Sequence, residues 1–576
     1  MLAILTILAL IAGAAYFVLR RPARVPMERF APATSLAFIE VDSLPDLVDG
    51  ITSTKAWREV APVLGLSSQI RQIGLAADLM SRAGIGTDET VVAGRAQLAV
   101  VLTKIESKPH AAEGLPSVPF KIAIIVETHS SPETAARLVH DRAQLLARRV
   151  YGDAAAPESE DYAGVELLRF RGPEPGRQLI AASSGSVVLV ANNDDAIKSC
   201  LDTISGRAPS LAENNTLKEL RPKVDHSASV FAFVTERGVE ELLKFGASVF
   251  AGRFTTDADR ASSIVELFGH LSKQTAGGFL YGSEFTEDGL TERYLTVLRP
   301  QLGEALIEPL KPAATADFES LPLIPAGIED LTILNVEAAG DLPERMLKQL
   351  SPRVDLVAAI ALREFVINLR KRLGLDSTDS VGSAIGNEIA LVKFSDHEPV
   401  AMLTRVKDKT ALLPIVSRYL ARSGAPRSAE QYNGIEVNGS PGDDSPGAAF
   451  VGEYLVLATR PQIRNIIDTR AGGGGIRTDE GLKSALAARP AGASVISYRP
   501  GANDAGEFML TVSKLTRVTD GSRDVMNREP FRAALKRLPG SISFTEVLKD
   551  GVYTESRSAM GSFPLIASIF TGEDEK

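Results

Sequence analysis

The chain has 576 residues, 44% hydrophobic and 23% charged, which excludes a mostly disordered protein and exceeds what one core organises. A net charge of -9, with no basic run interleaved with aromatics, sets nucleic acid aside as a partner. One cysteine, Cys200, excludes an intramolecular disulfide, a cysteine zinc site and a CxxC redox pair.

Residues Leu2 to Leu19 are uncharged and are followed by Arg20, Arg21, Arg24 and Arg29. As a helix they would rise roughly 27 Å against a hydrocarbon core of about 30 Å, which predicts a single membrane segment over 1–21. The small residues Ala12-Gly13-Ala14-Ala15 would also suit signal cleavage. The stretch lacks a basic n-region and stays apolar through Tyr16, Phe17, Val18 and Leu19, so an uncleaved signal-anchor is the expectation. Arginines on its carboxyl side would hold the bulk of the chain in the cytoplasm, whereas a basic segment lost to a mis-assigned start would reverse that. The side of the membrane stays open. Pro22, Pro26 and Pro32 stiffen a linker over 22–32.

Two copies of an α+β domain are then predicted, over 33–299 and 327–560. Each begins with a strand, at 35–41 and 331–336, followed by helices at 44–63 and 67–83 or at 342–350 and 354–373. Glycines end these stretches, at Gly84-Ile85 and Gly374-Leu375. Two apolar strands come next, at 96–102 and 120–126 or at 388–394 and 400–404, and then an amphipathic helix at 132–150 or 409–421. Three short strands succeed it, at 165–170, 179–182 and 187–191, or at 435–437, 448–451 and 454–458. Each copy closes on a hairpin turned by Asp288-Gly289 or Asp550-Gly551.

Residues repeat in the same order along the two copies. Tyr162-Ala163-Gly164-Val165-Glu166 matches Tyr432-Asn433-Gly434-Ile435-Glu436, and the segment around Asp202 matches that around Asp468. Leu98-Ala99-Val100 matches Ile389-Ala390-Leu391, and Ala228-Ser229-Val230 matches Ala493-Ser494-Val495. A period of hundreds of residues marks a duplicated domain, not a solenoid. Tight turns between strands, with helices in blocks, predict a mainly antiparallel sheet-plus-helices fold of α+β class. The proline-rich stretch 300–326 reads as the connection between copies, and 561–576 as a solvated acidic tail.

No phosphate loop, HExxH helix or GxSxG elbow occurs. His110, His129, His140, His226, His270 and His397 never take the i, i+4 spacing of a helical metal pair. Asp396-His397-Glu398 could in principle hold a cation, but adjacent residues on an extended chain point apart, so a polar loop is expected. Asn192-Asn193-Asp194-Asp195 reads as a helix cap in preference to a calcium site. Asp443-Asp444 and Gly472 to Gly475 read as loops. Tyr162 and Tyr432 read as a duplicated core position opening a strand, and Cys200, opposite Ile466, as a buried hydrophobe. No catalytic, cofactor-binding or metal-ligating residue is assigned.

Several stretches together resemble a bacterial family catalogued as domain of unknown function 3352. They are Ala33-Thr34-Ser35-Leu36-Ala37-Phe38-Ile39-Glu40-Val41, Thr54-Lys55-Ala56-Trp57, Gly84-Ile85, Gly94, Leu98-Ala99-Val100, the Tyr-x-Gly-[Val/Ile]-Glu motif and the small-residue strand ending at Ala191 or Ala458. The resemblance implies an anchored envelope protein with its bulk outside the cytoplasmic membrane and carries over no catalytic residues. This chain departs from the pattern in lacking a basic amino-terminal flank. The expectation is a non-enzymatic scaffold or binding module, with an envelope protein or a lipid as partner. A carrier or chaperone for a lipid or other apolar ligand is the alternative, and a hydrolase with a dispersed site the third reading.

Overall fold

The computed structural model describes residues 23–63, 94–106, 120–152, 156–173, 177–254, 258–314, 318–372, 375, 381–395, 398–421, 428–440, 442, 445–501 and 528–561. The expected membrane segment over 1–21, the helix over 67–83, Gly84-Ile85, Gly374, His110, Asp396, His397, Asp443-Asp444 and the tail beyond 561 lie outside them. Among the described residues no helix is long and apolar enough to cross a membrane. The chain divides into two compact units, 1–58 with 65–287, and 59–64 with 288–576. The division falls at the Asp288-Gly289 turn, so residues 290–298, expected in the first copy, belong to the second unit.

Unit 1 is built on β1 (Ala37–Val41), β2 (Gln97–Ile105), β3 (Phe120–Glu127), β4 (Pro157–Tyr162), β5 (Val165–Arg171), β6 (Gln178–Ser184), β7 (Val187–Ala191), β8 (Val230–Thr235) and β9 (Ala276–Phe285). Their order across the sheet is β4-β5-β6-β7-β3-β2-β1-β8-β9, antiparallel throughout. The helices are α1 (Leu44–Ser53), α2 (Lys55–Val60), α3 (Pro132–Tyr151), α4 (Asp194–Ile204), α5 (Asn215–Val224), α6 (Glu236–Phe254) and α7 (Ala258–Thr275). The helix expected over 44–63 is broken, because Thr54 leaves helical geometry at ψ 152 and its side chain caps Trp57 instead.

Within the meander β4 to β7, β5 is covered on both faces, which is why it carries four consecutive buried residues. Leu168 and Phe170 of β5, with Leu179 and Ala181 of β6, pack against Val139, Ala143 and Ala147 of α3. Successive side chains of a strand alternate in direction, so Leu167, Arg169 and Ile180 face the opposite side, where α4 lies.

Unit 2 contains β10 (Leu290–Leu298), β11 (Asp330–Asn335), β12 (Ile385–Lys393), β13 (Ala401–Val406), β14 (Ser428–Tyr432), β15 (Ile435–Gly439), β16 (Pro446–Val451), β17 (Tyr454–Thr459), β18 (Ala493–Arg499), β19 (Ser541–Leu548) and β20 (Gly551–Ser558). Their order is β14-β15-β16-β17-β13-β12-β11-β18-β19-β20-β10, again antiparallel. Asp550-Gly551 turns β19 into β20 as the sequence predicts. Its helices are α8 (Pro300–Ile307), α9 (Leu342–Leu350), α10 (Leu356–Arg372), α11 (Lys409–Ala421), α12 (Arg460–Gly472), α13 (Glu480–Ala487) and α14 (Glu529–Leu535). Every residue of β17 is buried. Leu455 and Leu457 face Leu412, Ile415 and Val416 of α11, while Val456 and Ala458 face Ile463, Ile466 and Ile467 of α12.

Both stretches read as linkers carry core residues. Met27 and Ala31 are fully buried in unit 1, and Phe318, Leu321, Leu323 and Ile324 join the main core of unit 2. Residues 300–307 form α8, with Leu302 and Leu306 buried. Proline at the first helical position is compatible with a helix start, so the prolines here begin elements as well as separate them.

Candidate functional site

Tyr162 and Tyr432 do not open strands; they end β4 and β14. The next two residues form a two-residue hairpin turn with both φ positive, 55° and 83° at Ala163-Gly164 and 48° and 78° at Asn433-Gly434. That is the turn whose twist matches paired strands, and glycine at its second position carries no Cβ strain. Both tyrosines are half-buried, and Tyr432 packs against the main core of unit 2.

Each tyrosine meets the aspartate of the other repeated segment. The Tyr162 hydroxyl donates to Asp202 on α4 at 3.1 Å, and the Tyr432 hydroxyl to Asp468 on α12 at 2.7 Å. Around each pair lies a cation and a strand carboxylate. Lys198 sits 5.1 Å above the Tyr162 ring and 3.1 Å from Glu160 of β4. Arg464 sits 5.6 Å above the Tyr432 ring and makes a two-point ion pair with Glu430 of β14 at 2.8 and 2.9 Å. Thus the two strongest sequence repeats form one contact, a clamp between the first hairpin and the following helix. The remaining lone pairs are filled differently. Arg207 binds Asp202 at 2.7 Å, whereas the Asn433 amide binds Asp468 at 2.9 Å.

The polar run at the start of α4 serves the fold. Asn193 caps the helix by accepting from the Asp195 amide at 2.9 Å, and Asn192 bridges to the backbone of Phe120 and Ile122 on β3. Asp194 takes a two-point contact from Arg169 on β5, and this pairing, with further hydrogen bonds, holds its carboxyl down at about 2. Unit 2 puts Arg460 at the corresponding start of α12, and it donates to the carbonyls of Ser428 and Gly439 at 2.8 and 3.0 Å. Gly473 supplies the left-handed cap of α12, so the glycine run is a helix stop followed by a turn.

A buried ionic cluster in unit 1 was not singled out from the sequence. Glu40 of β1 is 2% exposed and pairs with Arg221 of α5, which also binds Asp225 at 2.7 Å and Glu28 at 3.2 Å. The Arg221 guanidinium lies 4.3 Å over the Phe231 ring. Burial pushes the Glu40 carboxyl up to about 8, with Arg221 opposing. Burial also acts against the Arg221 charge, but the carboxylates around it outweigh that and hold it protonated. A signal was present in the sequence: Glu40 shares the inward face of β1 with Phe38, where an apolar residue is the norm.

Nearby, His129 adopts a left-handed φ of 49°. Its Nε2 donates to Gln97 Oε1 at 3.0 Å, and Gln97 also grips both backbone groups of Val25. Burial, with Arg29 and Arg95 in support, pulls the imidazole below its ordinary value despite Glu127. The adjoining cleft, lined by Arg24, Asp42, Ser43, Asp46, Arg95 and Gln97, encloses about 50 Å³. Arg24 binds Asp42 at 2.8 Å and Asp46 at 3.1 Å, so these charges answer one another. The structure therefore uses His129 to lock the chain entering β1.

Other candidates are dispersed. His140 lies 3.2 Å from Glu166 on the surface, and Glu398 accepts from Gln462 at 3.0 Å. His226 and His270 are not drawn into either clamp. Cys200 is fully buried and its thiol is pushed up to about 12 by burial, consistent with a packing role. Among the described residues no group of three or more His, Cys, Asp or Glu is placed to hold a metal ion. The larger cleft is in unit 2, about 590 Å³, open to solvent and lined by Phe318, Leu321, Pro322, Leu482, Leu486 and Lys483 among others. No family model, no curated protein and no solved structure matches the chain.

Proposed function

We propose that the chain is a membrane-held, non-enzymatic envelope scaffold or binding module, assembled from two copies of one α+β unit. The observation that carries this reading is the clamp. The residues that recur most visibly, Tyr162 with Asp202 and Tyr432 with Asp468, meet each other and not a shared pocket. The same core strand order, from the polar edge hairpin to β9 in unit 1 and β19 in unit 2, supports duplication. A helix on each face of both meanders supports it too. The uncharged stretch 2–19 supports a single-pass anchor, and the resemblance to the domain of unknown function 3352 family favours an extracytoplasmic body.

Native mass spectrometry of the full-length protein, gently extracted from its own membrane, tests this. A stoichiometric protein partner is the expected result. The carrier reading is favoured by one observation, the unit 2 cleft lined by Phe318, Leu321 and Leu486 together with Lys483 and Arg477. A discrete adduct that fragments as lipid, with no protein partner, would replace the scaffold reading with that one.

A further inference from the structure

The helical pair α9–α10 of unit 2 leaves apolar side chains uncovered to a degree unusual for a packed element. Leu356 is 74% exposed, Val357 51%, Ile360 53% and Phe365 64%. On α10 the positions 356, 357, 360, 363 and 364 follow helical spacing and are all exposed, while Ala358 and Val366 point into the unit. No residue of α9 is fully buried, although Leu342, Met346, Leu347 and Leu350 recur at helical spacing. Arg370 of α10 pairs with Glu344 of α9, so the two helices are tied together.

Charge singles out the same segment. Residues 342–372 carry seven Arg or Lys and three Asp or Glu, a positive island in a chain of net charge -9. On the exposed side of α10 Leu356, Val357 and Ile360 come first, and Arg363, Glu364 and Lys371 follow on the same face, while Phe365 projects about half a turn away. Apolar side chains bordered by basic ones are the composition of helices that lie in a membrane interface. There the apolar face enters the headgroup boundary and the cations meet anionic lipid.

We propose that α9–α10 is a docking surface for an anionic bilayer. The inference rests on the membrane-held reading above, and the opposite charges of this island and an anionic leaflet select the occupant. A neutral partner helix would need the apolar residues but not Arg363 and Lys371, and a second copy of this net-acidic chain would bring the same basic island against itself.

The test uses the full chain in vesicles of phosphatidylcholine, with or without phosphatidylglycerol. An environment-sensitive label is placed at Leu356→Cys or Ile360→Cys, with Ser484→Cys, exposed on α13, as the control. Buried Cys200 is replaced by serine in all three variants. At 356 and 360 the emission shifts to the blue and is quenched by spin-labelled acyl chains in the anionic vesicles, while position 484 stays aqueous. Arg363→Glu with Lys371→Glu reduces that quenching roughly twofold or more, as added salt does. A chain that floats with the vesicles while position 356 stays aqueous would overturn the proposal and leave the anchor reading standing. Label burial that grows with protein concentration and ignores lipid would overturn it in favour of a second copy. A chain that neither floats nor shifts its label in added vesicles sinks both readings.

Discussion

Glu40 is a carboxyl in the middle of an apolar strand, and its chemistry makes the stability of unit 1 depend on pH. Burial raises it to about 8 from an ordinary 4.5. Between those values the folded unit retains a proton that the unfolded chain has released. The stability contributed by this group is therefore fully present below pH 4.5 and is lost as pH rises through 8. The slope is at most about 1.4 kcal/mol per pH unit from one group, which places the total decline on the order of a few kcal/mol. Glu40→Gln keeps the shape and a hydrogen-bond acceptor for Arg221, which retains Glu28 and Asp225. Urea unfolding of the variant, followed on unit 1, is expected to show a flatter profile between pH 5 and 8 than the parent chain. An equally steep profile would remove Glu40 as its source. This cluster was only half legible in the sequence. An inward-facing glutamate can be read from strand alternation, but its cation lies 181 residues away and is supplied by the fold.

At the scale of elements, the first hairpin of each meander shows how a polar sequence becomes a strand. Pro157–Tyr162 and Ser428–Tyr432 have no apolar alternation, and the sequence reading passed over both. Each is an edge strand, where charged side chains discourage pairing with other chains. The Tyr-x-Gly motif recurs in both units, but the sequence places it at a strand opening, and the structure makes it the turn that ends one. Ala163 carries a φ of 55° without the local side-chain hydrogen bonding that makes asparagine tolerant there, whereas unit 2 places Asn433 at the same point and uses its amide on Asp468. Ala163→Asn should relieve this strain and add a donor near Asp202. The expected gain is roughly 0.5–1 kcal/mol, read as a higher thermal midpoint for unit 1. A lower midpoint would mean that the turn is not set by backbone preference at this residue. The interrupted helix at Thr54 was hidden for a related reason, since a side-chain cap on Trp57 overrides an otherwise continuous helical pattern.

For the whole molecule, the question is whether two similar units behave as independent folding bodies. The sequence suggests a repeat because similar local features recur in the same order: a Tyr-x-Gly motif, an aspartate late in the next helix and an Asp-Gly turn. The burial of Phe318, Leu321, Leu323, Ile324 and Met27 was not legible, because proline-rich segments read as connections until a core is available to receive their apolar side chains. Each unit has its own clamp and its own meander core, with α3 packed in one and α11 and α12 in the other. Asp202→Ala removes the acceptor of Tyr162 and Arg207 in unit 1 while touching nothing in the clamp of unit 2. A partly exposed polar contact of this kind contributes roughly 1 kcal/mol, so amides of β4, β5 and α4 are expected to exchange about fivefold faster. Amides of β14, β15 and α12 should keep their protection. Hydrogen exchange read by mass spectrometry measures both in one experiment. If the second set accelerated with the first, the two clamps would belong to one cooperative body, and the two units would share a single unfolding transition despite their separate cores.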